Sequence, residues 1–125
     1  MQAIEATVQS SIDDAEVAVR KALGDHGFGV LTEIDVAHTL KDKIGVDHVP
    51  MKILGACNPV LAHKALEADP DAALVMPCNV VLKEVEPGKT TIRAADPHSI
   101  ISGEGLEELA DDAASKLTEA LNNLH

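Results

Sequence analysis

Phe28 is the only aromatic residue in this chain of 125 amino acids, which contains no Tyr and no Trp. Hydrophobic residues still make up 46% of the sequence, so the apolar side chains are almost all aliphatic. A core built from them must gain stability from many small contacts, because each pair of apolar atoms contributes little dispersion energy. This length suffices to bury one such core, and no repeat or linker divides the chain. We therefore predict a single domain over residues 1–125.

Acidic residues outnumber basic residues by 21 to 10, which gives a formal net charge of −11 at pH 7. Such a charge repels phosphate backbones and anionic lipid, which argues against nucleic acid as a partner. No run of about 20 apolar residues could span a membrane, and the N-terminus lacks the pattern of a signal peptide. We therefore expect a cytoplasmic protein, without membrane association, in which the two cysteines are reduced.

Capping residues and apolar spacing predict four helices. Ser11 is a favoured N-cap for a helix that runs to Gly24. A second helix presents one apolar face and ends at Gly45, and Asn58 followed by Pro59 marks the start of a third. The segment 105–124 has the apolar stripe of a long amphipathic helix, which either covers a sheet or pairs with a second copy of the chain.

Apolar runs between turn residues predict the strands, which cover residues 3–8, 27–34, 51–56 and 71–76 and a hairpin around Pro87 and Gly88. The fold class is α+β, with a mixed β-sheet and helices packed on it. Residues 51–76 are predicted to form a strand-helix-strand crossover that makes its two strands parallel.

Cys57 and Cys78 each follow one strand of that crossover, so both are expected at the C-terminal edge of the sheet, where ligands often bind. Cys57 also precedes a helix N-cap, where a thiol can have a lowered pKa and act as a nucleophile or metal ligand. The free amides of that helix could instead hold a carboxylate or phosphate. The opposing interpretation is that both cysteines pack as small apolar residues.

The sequence gives only weak signals for other catalytic, metal or cofactor sites. His63 lies at the margin of the third helix, where it could lean over the sheet edge or face water, and Glu33 and Asp35 are interpreted as capping residues. No metal-binding spacing of Cys or His occurs, so no metal site is predicted. The dinucleotide fingerprint and the phosphate-binding loop are incomplete, so the sequence specifies no cofactor and leaves enzymatic activity undecided.

The runs GFGVLTEID, ACNP and MPCN, in that order and spacing, resemble the family known as domain of unknown function 302 (DUF302), which includes TT1751-like structures. The resemblance covers nearly the whole chain. It implies an α/β-type sandwich that forms homodimers, in a family without an assigned biochemical role. It also adds weight to the motif residues, which are Cys57, Asn58, Pro59, Cys78 and Asn79, with Glu33 and Asp35 as second candidates.

Two functions follow as hypotheses. The first is a small-ligand or thiol-redox site at the sheet edge, with Cys57 as the more reactive thiol and Cys78 as its partner. Asn58 and Asn79 would orient the ligand there through their amides. The second is a non-enzymatic homodimeric interaction module in which both cysteines are structural.

Overall fold

The computed structural model describes residues 2–101 and 103–124. The strands are β1 (Ala3–Val8), β2 (Gly29–Asp35), β3 (Met51–Cys57), β4 (Cys78–Glu86) and β5 (Lys89–Ala95). The helices are α1 (Ile12–Asp25), α2 (Val36–Ile44), α3 (Pro59–Ala68), α4 (Pro97–Ile100) and α5 (Glu107–Asn122), and a 3-10 helix spans Pro70–Val75. The α+β class predicted from the sequence is confirmed.

Local signals explain where three of the helices begin or end. The Ser11 hydroxyl accepts a hydrogen bond from the Asp14 backbone N–H and caps α1. Asn58 caps α3 by accepting from the Leu61 N–H, directly before Pro59, which needs no donor at the first helical position. Gly45 ends α2 in the left-handed region, with φ of 69°, which glycine adopts without a steric penalty.

Within the described residues, the strands form one five-stranded sheet in the order β1-β5-β4-β3-β2, and every neighbouring pair is antiparallel. The inner face of this sheet is the one that packs against α1 and α5. It carries Leu54, Leu82 and Ile92, all fully buried, which form one aliphatic cluster with Leu23 of α1 and Leu117 of α5. The apolar side of α5 is therefore used to cover the sheet.

The opposite face of the sheet, called the outer face below, follows from the alternation of side chains along each strand. Val80 and Leu82 lie in the buried cluster, so Asn79 and Val81 project to the outer face. Asn79 is exposed, and Val81 is half-buried. The same alternation along β5 places Arg93 on the outer face beside Val81, its partner in the register.

The predicted crossover over residues 51–76 is wrong, and so is the mixed sheet. Residues 70–75 form a 3-10 helix, and β3 pairs with β4 in the antiparallel direction. The Asp69 side chain accepts from the Asp71 N–H, and Pro70 occupies the first helical position, so this apolar run begins with helical signals. Leu74 is 83% exposed, which a buried strand would not allow. Short apolar runs do not distinguish a strand from a helix by periodicity alone.

The second helix does not bury the apolar face that the sequence predicts for it. Its apolar residues Val36, Ala37 and Leu40 are only half-buried, and no residue of α2 is fully buried. Ile44 at its end is 67% exposed. In the described part of the chain no helix is both long enough and apolar enough to cross a membrane.

A substitution at Gly55 of β3 tests how tightly the outer face is packed beside β4. We expect Gly55→Ala to lower the free energy of unfolding by about 1–3 kcal/mol, the usual cost of an extra methyl group in packed surroundings. The new Cβ would overlap the Thr32 hydroxyl and lie 2.7 Å from Pro77 Cγ. The hydroxyl can rotate away, but the proline ring cannot. Urea unfolding monitored by circular dichroism gives the value.

Gly29→Ala on the neighbouring strand is the matched control, because a Cβ there meets no atom within 4 Å. Its effect should stay within about 0.5 kcal/mol. Equal losses in the two variants would mean that strand propensity, and not the contact with Pro77, sets the cost.

Candidate functional site

Cys57 and Cys78 lie at the same end of the sheet. Cys57 is the last residue of β3, and Cys78 is the first residue of β4. Ala56 pairs with Cys78 in the antiparallel register, so the two cysteines are offset by one residue across neighbouring strands. The strand spacing and the rise of one residue put their Cα atoms roughly 6 Å apart. The two cysteines therefore meet at this end because their strands are antiparallel, and not because a crossover makes the strands parallel.

Both cysteines line one small cavity of about 50 Å³. Its walls are almost wholly apolar and come from several parts of the chain, including Phe28, Leu61, Met76, Ile101, Leu109 and Ala113. Pro77, which follows a cis peptide bond, closes the cavity next to Cys78. Both cysteines are free and half-buried. The arrangement places two thiols beside a small apolar space with room for only a few atoms.

Burial and a neighbouring thiol both act on the pKa of Cys78. Burial raises the pKa of the Cys78 thiol, and the neighbouring Cys57 thiol raises it further. Burial acts because a thiolate loses hydration in an apolar environment. Cys78 is therefore held in the thiol form above the pH at which an ordinary cysteine ionises.

The two motif asparagines occupy different environments. Asn58 lines the cavity, but its side-chain oxygen already caps α3. A Cβ at Gly27 would lie 3.0 Å from Asn58 Nδ2, and Gly27 has a positive φ of 87°, so this turn and the cap fit closely together. Asn79 lies on the outer face, next to Cys78 in sequence but away from the cavity lining. Asn58 and Asn79 each follow a cysteine in the sequence, but the structure places them in different environments.

Glu33 belongs to an ion cluster that is distinct from the thiol cavity. Lys52 Nζ lies 2.8 Å from a Glu33 oxygen and 2.7 Å from a Glu16 oxygen, and Arg20 contacts both carboxylates. Hydrogen bonds to Glu16 and Glu33 raise the pKa of Lys52. Burial works to raise the pKa of Glu16, but the bonds from Lys52 and Arg20 outweigh it and lower that pKa. Paired charges of this kind tie α1 to the sheet.

Asp35 and His63 also lie outside the cavity lining. The Asp35 carboxylate accepts from the His38 N–H and caps α2, in line with its interpretation as a capping residue. His63 faces water, with a side chain 75% exposed, and its Nε2 lies 2.9 Å from a Glu67 oxygen one turn later. Among residues 2–101 and 103–124, no three His, Cys, Asp or Glu side chains are grouped closely enough to hold a metal ion.

Sequence reasoning missed most of the cavity wall. Ile101 and Leu109 come from segments whose sequence carries no chemical motif, and only the tertiary fold brings them to the thiols, whereas Met76 belongs to the MPCN run. The single signal available was Phe28, an isolated aromatic residue directly before β2, which is 4% exposed and forms part of this wall.

Comparisons with known proteins give the fold and the family. The sequence profile described as "Domain of unknown function DUF302" matches residues 4–124. The crystal structure of an uncharacterized conserved protein DUF302 from Bacillus stearothermophilus is 27% identical to this chain, covers 98% of each chain and has a TM-score of 0.87. No curated protein matches the sequence.

The raised pKa of Cys78 predicts how its alkylation depends on pH. We expect iodoacetamide to label Cys78 of the folded protein only above the pH range of an ordinary thiol, because the thiolate is the reactive species. In Cys57→Ser the labelling profile should move to lower pH, since one cause of the raised pKa is removed, but burial should keep it above the ordinary range. Mass spectrometry of labelled peptides measures the rate.

The same variant unfolded in urea is the control for that experiment. Unfolding removes burial, so the profile should then return to that of an ordinary cysteine. A profile that does not change on unfolding would show that the fold leaves the Cys78 thiol unperturbed.

Proposed function

The chain belongs to the DUF302 family, and we propose that in this member Cys57 and Cys78 form a thiol-redox site. The observation that carries the proposal is that both free cysteines line one apolar cavity at the end of two paired strands. Cα atoms roughly 6 Å apart fall within the range that a disulfide spans. Cys57 is the last residue of β3 and directly precedes Asn58, the N-cap of α3.

The size of the cavity favours chemistry on the thiols over binding of a large ligand. A cavity of about 150 Å³ accommodates benzene, whereas the cavity here measures about 50 Å³. It therefore has room for an oxygen or sulfur atom added to a thiol, or for a disulfide. A ligand held inside the cavity is therefore limited to a few atoms, and a larger disulfide reagent would meet the half-buried Cys57 from outside the cavity.

The proposed reaction is thiol-disulfide exchange with a small-molecule disulfide. The Cys57 thiolate attacks one sulfur of the disulfide, a mixed disulfide forms on Cys57, and the first thiolate of the reagent leaves. Cys78 loses its proton to water and attacks the Cys57 sulfur, which releases the second thiolate and joins the two cysteines. Two electrons pass from the protein to the reagent, which is reduced to two thiols.

The two cysteines would have different roles in this scheme. Cys57, which directly precedes the N-cap of α3, is the attacking thiol. Cys78 has a raised pKa, so it attacks slowly until Cys57 has become an electrophile beside it. In the reducing compartment expected from the sequence, the resting state would be the dithiol.

The test uses oxidised glutathione and mass spectrometry of the intact protein. We expect the wild-type chain to lose two hydrogen atoms and form the Cys57–Cys78 disulfide. Cys78→Ser should accumulate a glutathione adduct on Cys57, since no second thiol is present to displace it. Cys57→Ser should react at least about tenfold more slowly, because the raised pKa of its remaining thiol lowers the fraction of thiolate.

Asn79→Ala is the matched control, because Asn79 is next to Cys78 in sequence but lies on the outer face. It should form the disulfide at the wild-type rate within about twofold. Two outcomes would contradict the proposal, namely a wild-type chain that forms only single adducts and a Cys57→Ser chain that reacts as fast as Cys78→Ser.

A second candidate function is homodimerisation through the exposed side of β2 and α2. This surface, called the β2–α2 surface, includes the loop after α2 and has five large apolar residues that are 41–67% exposed, namely Leu31, Ile34, Ile44, Val46 and Val49. Strand β2 is an edge of the sheet, so one side of its backbone is open for pairing. Helices in proteins gain most of their stability from packing, and α2 has no fully buried residue. A second copy would supply the missing contacts.

Leu31→Asp combined with Ile44→Asp should convert a dimer to a monomer in analytical ultracentrifugation, because two buried charges would face the partner. The control is Val17→Asp, which alters a residue of α1 that is 71% exposed and lies outside this surface. A wild-type chain that is monomeric at about 100 μM, well above the Kd of a stable dimer, would exclude this candidate.

A further inference from the structure

A second and larger cavity lies on the outer face of the sheet. It has a volume of about 540 Å³, which is in the range of small-molecule sites. Its floor is formed by β4 and β5 through Val81 and Ala95, and one wall is formed by the segment 74–77. Val75, Met76 and Pro77 line both this groove and the thiol cavity, so the two spaces lie on opposite sides of one short segment.

The walls of this groove expose apolar side chains that the core does not use. Leu74 is 83% exposed and Val75 is 39% exposed. Both belong to the 3-10 helix, and Ile100 at the end of α4 lines the groove with them. Three neighbouring aliphatic side chains above a sheet are a surface on which a short hydrocarbon chain can lose its contact with water.

Arg93 is the one cationic side chain in the lining of the described groove, and it has donors to spare. Its Nε donates to a Glu5 oxygen at 2.7 Å, and no other described hydrogen bond involves its guanidinium. The two terminal nitrogens can therefore bind a carboxylate with a fork of parallel hydrogen bonds. Asn79 also lines the groove, and among the described residues its amide has no hydrogen-bond partner.

We propose that this groove binds a small amphipathic carboxylate. The carboxylate would pair with Arg93 and accept a hydrogen bond from the Asn79 amide, and the aliphatic part would lie against Leu74 and Val75. The net charge of −11 works against anions in general, so the selectivity has to come from this local cation. Glu5 reduces the positive potential, because it holds the opposite side of the same guanidinium.

The neighbouring Glu5 makes the proposal sharply testable, since two substitutions should have opposite effects. The probe is octanoate, titrated into isotopically labelled protein and followed by amide NMR shifts. Arg93→Gln should weaken octanoate binding about tenfold, which corresponds to the loss of a hydrogen bond to a charged group. Glu5→Gln should strengthen it by about two- to fivefold, because an exposed competing charge is removed. Octan-1-ol, which has the same chain without the carboxylate, should bind more weakly than octanoate.

Two further variants define where the ligand lies. Leu74→Asp should weaken octanoate binding, because it removes apolar surface and adds a negative charge. The control is Val60→Asp, which alters a residue of α3 that is 65% exposed and should leave octanoate binding unchanged. The double variant Cys57→Ser/Cys78→Ser should bind octanoate like the wild type. This inference and the thiol-redox proposal can therefore fail separately.

Three results would overturn the inference. They are equal binding of octanoate and octan-1-ol, wild-type affinity in Arg93→Gln, and NMR shifts confined to residues away from β4, β5 and the 3-10 helix.

Arg93→Lys guards against a folding artefact, because it keeps the positive charge but cannot form the two parallel hydrogen bonds. It should bind octanoate with an affinity between those of the wild type and Arg93→Gln.

Discussion

The antiparallel pairing of β3 with β4 is the constraint on which the candidate site depends. Chain direction reverses between these strands, so the end of one and the start of the other lie at the same end of the sheet. Cys57 and Cys78 meet there through backbone hydrogen bonding of their strands. The connection between the strands, made of α3 and the 3-10 helix, then folds over that end and supplies apolar walls. Position and environment of the thiols thus have separate physical causes.

The segment 75–77 separates two kinds of surroundings. On its inner side the sheet is covered by α1 and α5, and the remaining space is small and apolar. On its outer side the exposed Asn79 and Arg93 project from the sheet, and the space is an order of magnitude larger. A small apolar cavity beside two thiols suits chemistry on the sulfur atoms themselves, whereas a wide groove with a cation suits binding of a larger molecule. The two proposals therefore concern different chemistry at neighbouring places.

Much of the fold could be predicted because its signals are local. Ser11 and Asn58 cap helices with their own side chains, and Gly88, with φ of 80°, turns β4 into β5. Each depends on residues within a few positions, which a sequence displays directly. The run at 71–76 was mispredicted because its apolar composition fits a strand and a helix equally well. Its exposure, most visible at Leu74, is a property of the folded chain.

The sequence by itself determined the α+β class, most element boundaries and the two cysteine motifs, because capping, turn formation and apolar spacing act over short distances. Only the tertiary structure decided the direction of strand pairing, the faces on which Asn58 and Asn79 lie, and the place of Glu33 in an ion cluster with Lys52. These depend on contacts between residues far apart in the chain. Every residue except proline carries the same backbone N–H and C=O groups, so the sequence does not display which strands their hydrogen bonds will join.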